Sequence, residues 1–360
     1  QLKFKVDYIG TEHKPSYRET VEQVASLYKQ KRDLNLQLTT QIRHLSEKII
    51  DEKIATILKE KARTEKTQVE IENYQKIKKW IQNVPVSFPD AANLSSIGFL
   101  YDISAWGILL VNLDRYEQAR GILDTFNDWW KENKKDFRGM PKSFNVLGGH
   151  PFEIEGSAGP NAWFLNFIAQ YTYHSQDTKY LNLGRDIADH LLNLQNNDIH
   201  SPAYKALEDC PNANYYATEP NISAKAALRN FASTLDKFNQ SGAGKYRQAS
   251  KDIGIFLKSS HYVKKDKTTF VNLFGLKLGP TSETHLFHRG YGYDKEKQLW
   301  KWDWALPADL APWAVLSMTQ EEIMQITGVS SERLLQDTVE ETEVNVDYDH
   351  PEKGKVKGLA

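Results

Sequence analysis

Several kinds of residue and segment are scarce in this sequence of 360 residues. It has one cysteine, Cys210, which excludes an intramolecular disulfide framework and a zinc site built from cysteines. Its longest apolar run, IGFLYDISAWGILLVNL, is interrupted by Asp102 and Ser104. That run is shorter than the roughly 20 apolar residues that a membrane-spanning helix needs. The sequence therefore predicts neither a disulfide-stabilised scaffold nor a membrane span.

Charge of either sign is not in excess. The chain has 46 basic and 47 acidic residues, and its formal net charge is −1. Because a nucleic-acid-binding domain usually carries a basic patch or stripe, we expect no nucleic-acid partner. A Gly-rich phosphate loop, a serine nucleophile elbow and a Cys/His metal spacing are also missing. We therefore expect no cofactor and no metal, and the sequence does not indicate an oligomeric state.

Aromatic residues are plentiful by contrast. The chain has 9 Trp, 17 Tyr and 15 Phe, concentrated after residue 98 and often beside carboxylates. Such rings fill protein cores, and they also form the stacking walls of sugar-binding clefts. The chain opens at Gln1 in a polar stretch without an initiator methionine, which is typical of a cleaved signal peptide or a trimmed chain. We expect a bacterial protein that is exported, either periplasmic or secreted.

Helical periodicity divides the chain into three parts. Residues 1–84 are rich in helix-forming residues and poor in Gly and Pro, which predicts an N-terminal helical segment that either belongs to the main domain or forms a partner surface. Residues 85–330 form the main domain. Residues 331–360 show almost no apolar pattern, which predicts an extended or disordered tail.

A helical hairpin followed by a long loop recurs in the main domain. The second helices of three hairpins align on Tyr116, Tyr180 and Tyr246, which lie 64 and 66 residues apart, and each is followed by apolar residues at offsets three and seven. The long loops then emerge at one end, where the first helix of each pair begins, and we expect the functional site there. Residues 261–305 are rich in Thr, Val, Phe, Tyr, Trp and Gly and predict a small β-rich insertion. The predicted fold class is all-α, with helical hairpins and this insertion.

Acidic residues stand where the first helices of the hairpins begin. If the hairpins curve into a ring, these carboxylates and the aromatic residues beside them converge on one cleft. Glycoside hydrolysis needs two carboxyl groups about 5 to 9.5 Å apart, one to protonate the leaving oxygen and one to activate water or attack carbon. Burial against Trp would raise the pKa of the acid partner.

The order of these motifs resembles the six-hairpin glycosidase superfamily, whose fold is an (α/α)6 toroid. The resemblance lies between about Phe99 and Met318, in the stretches YDISAWGILL, GPNAWFLNFIAQYTYHSQDTKYLNLGRDIADHLLNLQ, YATEPNISAKAALRNFA and DLAPWAVLSM. Members open inner helices with Tyr-Asp, with Gly-Pro-Asn-Ala-Trp and with Thr-Glu-(His)-Asn, and Pro220 stands here where His is common. The resemblance implies a toroid with a carbohydrate cleft, and it suggests hydrolysis of a glycosidic bond in an oligo- or polysaccharide.

The candidate acid/base pair is Glu219 and Asp102, with Glu155 and Asp303 as further candidates. Each has a structural alternative, since Glu219 at the start of a helix is also favoured by the helix dipole, with Thr218 or Glu219 at the cap. Candidate substrate contacts are Tyr101, Asn161, Trp163, Asn221, Trp302, Trp304, His288 and Tyr291. For Trp163, a core position is the favoured alternative.

Two other functions fit the same pattern. A polysaccharide lyase of this fold would use a Tyr or His as base on a uronic acid, and His288, Tyr291 and Tyr293 are available. A toroid without a working carboxylate pair would be a glycan-binding or scaffold protein. The group Glu283, His285 and His288 has loose spacing for a metal site, and no third cluster supports it.

Overall fold

The computed structural model describes residues 37, 40–59, 65–89, 91, 94–265, 283–303, 305, 307–346 and 356–359. Helices dominate this part of the chain. They are α1 (40–59), α2 (Glu65–Asn83), α3 (Leu100–Asn112), α4 (Tyr116–Asn133), α5 (Ala158–Ser175), α6 (Leu181–Asn193), α7 (Thr218–Lys237), α8 (Ala243–Ser260), α9 (Leu310–Ser317), α10 (Gln320–Thr327) and α11 (Ser331–Thr342).

The helices form hairpins in two layers. Helices α3, α5, α7 and α9 pack against one another in that order and form the inner layer, while α4, α6, α8 and α10 cover them from outside. The first and last inner helices meet through their side chains, because the rings of Tyr101 on α3 and Trp313 on α9 have centroids 6.2 Å apart. The prediction of an all-α toroid of helical hairpins is confirmed.

The repeated tyrosines join one outer helix to the next. The hydroxyl of Tyr180, at the start of α6, donates to Asp124 on α4 at 2.7 Å. The hydroxyl of Tyr246 on α8 donates to Asp189 on α6 at 2.8 Å. Both rings are fully buried. The repeat in the sequence therefore reflects one contact that is used twice between successive hairpins.

The long loops lie at the end where the inner helices begin, as predicted. The first backbone N–H of α3, of α5 and of α7 donates to a carbonyl of the loop that precedes the next inner helix. The three bonds are Leu100 to Lys142 (2.7 Å), Ala158 to Asp209 (2.7 Å) and Thr218 to Arg289 (2.8 Å). Since the first N–H groups of a helix have no partner within it, these carbonyls take the place of capping side chains.

Short antiparallel strands line the same end. The strands are β1 (Ile97–Phe99), β2 (Ser143–Asn145), β3 (His150–Glu153), β4 (Tyr215–Ala217), β5 (His261–Lys265), β6 (Glu283–Phe287), β7 (Gly290–Asp294), β8 (Leu299–Asp303), β9 (Glu343–Val346) and β10 (Val356–Leu359). They form four sheets with the strand orders β1-β2-β3, β4-β7-β8, β5-β6 and β10-β9. The β-rich insertion is confirmed for its described residues, and its strand β7 pairs with β4 directly before α7.

The structure corrects the prediction for the start of the C-terminal tail. Residues 331–342 form α11, which packs against β6 and α9. Leu334 and Asp337 on this helix are fully buried. The Asp337 carboxylate accepts a hydrogen bond from the backbone N–H of His285 (2.8 Å) and forms an ion pair with Arg333 (2.7 Å). Polar tertiary contacts therefore hold a helix that apolar periodicity alone did not indicate. The proposed division into three parts stays a prediction.

Candidate active site

A cavity of about 1000 Å³ opens where α3, α7 and α9 begin. It lies at the end of the hairpins where the sequence predicted a site. Its wall is formed by aromatic, apolar and charged side chains: Phe88, Phe99, Tyr101, Asp102, Asp209, Tyr215, Ala217, Glu219, Pro220, Arg289, Ala305, Pro307, Asp309, Leu310 and Trp313.

Glu219 is the most strongly held carboxyl group of the cavity. It lies in the first turn of α7, and its Oε1 accepts hydrogen bonds from the hydroxyls of Tyr101 and Ser223, the latter at 3.2 Å. Oε2 makes no hydrogen bond with a described residue. The cap position belongs to Ala217, and no side chain caps the helix. The expected cap at Thr218 or Glu219 is therefore wrong, because both side chains have tertiary partners.

The surroundings of Glu219 favour its protonated form. Burial is the largest cause and raises the pKa of this carboxyl group. The bonds from Tyr101 and Ser223 stabilise the anion and lower the pKa, whereas the charges of Asp309 and Asp209 raise it. The net direction is upward, which is the direction that a general acid at neutral pH requires.

Three aromatic rings, here called the aromatic floor, pack on one another beside Glu219. Two of them, Tyr101 and Trp313, belong to the cavity wall, whereas Trp163, a predicted substrate contact, does not. Tyr101 packs on Trp163 with ring centroids 5.2 Å apart, and Trp163 packs on Trp313 at the same distance. The indole Nε1 of Trp313 donates to Ser223 Oγ at 2.8 Å. Burial, followed by the Glu219 charge, raises the pKa of Tyr101, so its hydroxyl stays protonated and donates to the carboxyl group.

Three further carboxyl groups face this cavity. Asp102, near the start of α3, and Asp309, directly before α9, form no side-chain hydrogen bond or ion pair with a described residue. Asp209 lies on the loop before β4, and burial raises the pKa of its carboxyl group, although Lys142 opposes the shift. The cavity thus combines one fixed, partly buried carboxyl group with carboxylates that are open to a bound molecule.

One cationic side chain, Arg289, lies in the cavity wall. Its guanidinium is 3.6 Å from Asp303 Oδ2, and the same oxygen accepts the hydroxyl of Tyr215 at 2.8 Å. Asp303, a further candidate for catalysis, is not part of the cavity wall. Its carboxylate instead orients two residues that are.

Asn161 and Asn221 have a structural role in place of the expected contact with sugar hydroxyls. Both side chains are fully buried. Asn161 bonds both backbone groups of Met140, and Asn221 bonds both backbone groups of Leu207, at 2.7 to 3.0 Å. Their amides also donate to carbonyls one turn earlier in the chain. Each asparagine therefore fastens a loop to an inner helix and has no donor left for a substrate.

Other candidates lie away from the cavity. His288, just before β7, and Tyr291, within β7, are both buried. Burial lowers the pKa of His288 to about 4, and the hydroxyl of Tyr291 donates to Ser259 O at 3.1 Å. Trp302 is partly exposed and packs on Tyr291, with ring centroids 4.2 Å apart. Neither His288 nor Tyr291 can contact a substrate, because neither side chain reaches solvent.

Of the two remaining candidates, Glu155 is not part of the cavity wall. Glu155 is exposed and lies 3.8 Å from Lys142. Trp304 lies outside the described residues. Within the described ranges there is no cluster of three or more His, Cys, Asp or Glu side chains suited to a metal ion. No helix among them has the length and apolarity to cross a membrane.

Among the residues that the structure adds to the predicted site are Asp209, Tyr215, Arg289 and Asp309. Asp309 has a sequence signal, because it directly precedes an inner helix as Asp102 and Glu219 begin theirs. Asp209 and Arg289 lie on loops and Tyr215 lies in a short strand, where the sequence has no periodicity. Their only signal is their position in segments that lead into inner helices.

Comparisons with known proteins find matches to this chain among solved structures. No protein-family model and no curated protein sequence matches the chain. A cellobiose 2-epimerase from Bacillus thermoamylovorans has a TM-score of 0.46 and 11% identity, over 85% of this chain and 76% of that chain. A family 76 glycoside hydrolase from a bovine Bacteroides thetaiotaomicron strain has a TM-score of 0.42 and 11% identity, over 73% of this chain and 52% of that chain. A family 105 glycoside hydrolase from C. acetobutylicum has a TM-score of 0.37 and 13% identity, over 60% of this chain and 63% of that chain.

These matches have TM-scores below 0.5 and 11 to 13% identity. The chemistry of the cavity follows from its own side chains.

Proposed function

We propose that this protein hydrolyses a glycosidic bond in an oligo- or polysaccharide, with Glu219 as the general acid. The observation that carries the proposal is the state of Glu219, a partly buried carboxyl group with raised pKa and with Oε2 free of partners among the described residues. It lies in a cavity of about 1000 Å³ that has further carboxylates and an aromatic floor. This volume suits at least one sugar ring, and aromatic faces stack on the apolar faces of sugars.

The second carboxyl group is Asp102 or Asp309. Hydrolysis needs an ionised carboxylate that activates water or attacks the anomeric carbon. Both residues face the cavity and are free of side-chain hydrogen bonds and ion pairs with described residues, so either can accept a proton from water. Asp309 has the larger effect on Glu219, since its charge is the first among those that raise the pKa of that group.

The tyrosine and histidine residues that could act as the base of a lyase do not suit that role in this structure. A tyrosine base for uronate chemistry must give up its phenolic proton. Burial and a neighbouring carboxylate raise the pKa of both Tyr101 and Tyr215, the two tyrosines in the cavity wall. His288 and Tyr291, the other candidates, are buried away from it.

The test is a reducing-end assay against a panel of bacterial and plant glycans. Glu219→Gln should lower kcat/KM by about 10²- to 10⁴-fold, the usual contribution of a general acid. Glu117→Gln, at an exposed ion pair on α4, is the matched control and should retain full activity. Products that absorb near 232 nm would instead indicate a lyase. Glycan binding without any release of reducing ends would indicate a binding protein.

Asp102→Ala and Asp309→Ala, each with and without sodium azide, identify the second carboxylate. Removing the true partner leaves space in which azide replaces the attacking water or carboxylate and restores turnover. We expect azide to rescue one of the two variants and to leave Glu219→Gln inactive toward substrates whose leaving group needs protonation. Equal activity of both variants with wild type would contradict a carboxylate-pair mechanism.

A further inference from the structure

Behind the aromatic floor lies a second, smaller cavity. It has a volume of about 260 Å³ and is lined in part by Trp163, Ser223, Arg229 and Trp313. Trp313 belongs to the walls of both cavities. Ser223 therefore reaches Glu219 from the side that a substrate in the larger cavity does not occupy.

The hydroxyl of Ser223 connects two inner helices. It accepts the indole N–H of Trp313 from α9 at 2.8 Å and donates to Glu219 Oε1 at 3.2 Å within α7. A hydroxyl that accepts one bond has its own proton directed elsewhere, so the indole fixes the direction in which Ser223 donates. The same chain of bonds limits rotation of the carboxyl group, because Oε1 accepts bonds from both Ser223 and Tyr101.

Trp313 is itself held in place. Its ring packs on Trp163 and Tyr101, and its backbone N–H bonds Asp309 O at 2.9 Å. The helix that carries it is further tied to α7 through Arg229, which bonds Ser317 O at 3.1 Å and pairs with Glu322. The indole is therefore a fixed donor.

We infer that Ser223 and Trp313 are positioning residues that orient the carboxyl group of Glu219 from the side opposite the substrate. The inference rests on the proposed role of Glu219 as the acid. It goes beyond that role, because it gives the last inner helix, α9, a part in fixing the orientation of the Glu219 carboxyl group through Trp313 and Ser223. Burial raises the pKa of Glu219, and the Ser223 bond opposes this shift.

Two consequences separate positioning from a purely structural role. Ser223→Ala removes a bond that stabilises the anion, so Glu219 stays protonated to higher pH. The alkaline limb of the pH profile of kcat should then move up by about one pH unit, which corresponds to the loss of a hydrogen bond to a charged group. Ser223→Thr keeps the hydroxyl and should restore the wild-type profile. Ser233→Ala, on the exposed face of the same helix, is the matched control.

The deciding experiment is independent of activity. Protein labelled with ¹⁵N-tryptophan has nine indole N–H signals, one for each Trp, and Trp313→Phe identifies the signal of Trp313. We expect this signal to titrate with Glu219 between pH 4 and 9 and the titration to vanish in Glu219→Gln. In Ser223→Ala its amplitude should fall at least twofold and its midpoint should rise.

The outcomes separate the inference from the proposed function. A Trp313 signal that does not change with pH, or that titrates identically in Ser223→Ala, would overturn the inference even in an active hydrolase. A titration that Glu219→Gln and Ser223→Ala alter as expected supports the positioning role even if no glycan is hydrolysed, in which case the proposed function alone fails. Trp106→Phe, at an exposed position of α3, controls for the loss of a tryptophan.

Discussion

The neighbours of Glu219 shift the pKa of its carboxyl group in opposite directions. Burial and the charges of Asp309 and Asp209 favour the neutral form, while the hydroxyls of Tyr101 and Ser223 favour the anion. An acid that must lose its proton and regain it in each cycle benefits from both, because each protonation state is favoured by some of its neighbours.

The first prediction concerns stability as a function of pH. The folded-state pKa of Glu219 lies above its unfolded value, so its contribution is fully present below the unfolded pKa and is lost as the pH rises through the folded pKa. Each pH unit of the shift corresponds to about 1.4 kcal/mol. Glu219→Gln should therefore raise the free energy of unfolding at pH 7 and leave it nearly unchanged at pH 4, as measured by urea titration at both values.

Asp102→Asn is the control for this prediction. Its side chain is exposed and has no hydrogen bond or ion pair with a described residue, so its replacement should leave the free energy of unfolding unchanged at both pH values. Equal stability of wild type and Glu219→Gln at pH 7 would mean that the carboxyl group is not destabilised by its site.

A second prediction separates a structural from a substrate-binding role for Asn221. Its amide satisfies both backbone groups of Leu207 in a fully buried position. Asn221→Ala leaves these groups unpaired and should lower the free energy of unfolding by about 3 kcal/mol. Asn112→Ala, at an exposed amide on α3, is the control. A raised KM with unchanged stability would instead support the sugar contact that the sequence suggested.

The two asparagines show how far sequence reasoning reaches at the scale of a residue. Gly-Pro-Asn and Glu-Pro-Asn occur at matching positions of two hairpins, which identified both as the starts of inner helices. A residue that recurs at the same position of successive hairpins has a structural role in each hairpin, whereas catalytic residues need not recur. Glu219 differs from its counterpart Gly159 in the other motif, and this difference was the available signal for function.

At the scale of an element, the outer helices show the same logic. The aligned tyrosines predicted the hairpins correctly, but their hydroxyls bond aspartates that sequence periodicity does not pair with them. Tyr180 bonds Asp124, and Tyr246 bonds Asp189, whereas Tyr116 bonds Asp114 within its own turn. The first tyrosine thus has the sequence signature without the contact between hairpins.

This difference gives a third prediction. Tyr180→Phe and Tyr246→Phe each remove a buried hydroxyl that links two outer helices, and each should lower the free energy of unfolding by about 1 kcal/mol. Tyr116→Phe removes an exposed bond within one turn and should leave stability unchanged. Thermal and urea unfolding of the three variants measure this, and a similar loss in all three would show that the link between hairpins contributes nothing.

At the scale of the whole molecule, the cavity lies where elements distant in sequence are joined by backbone bonds. The first N–H of α3, of α5 and of α7 donates to a carbonyl of the loop that leads into the next inner helix. Two of these carbonyls belong to Asp209 and Arg289, whose side chains face the cavity. The sequence indicated the end of the toroid at which the site lies, but it could not identify these two residues, because the bonds that place them are made by the main chain.

The last prediction tests these bonds as a set. The N–H groups at the start of a helix normally exchange quickly with solvent, because they have no partner within the helix. The amides of Leu100, Ala158 and Thr218 should instead exchange as slowly as helix interiors, since each donates to a carbonyl of the following loop. Gly244, in the first turn of α8, has no acceptor among the described residues and should exchange quickly. Rapid exchange at all four amides would mean that the loops are held by their side chains alone, and that the cavity wall opens independently of the helices beneath it.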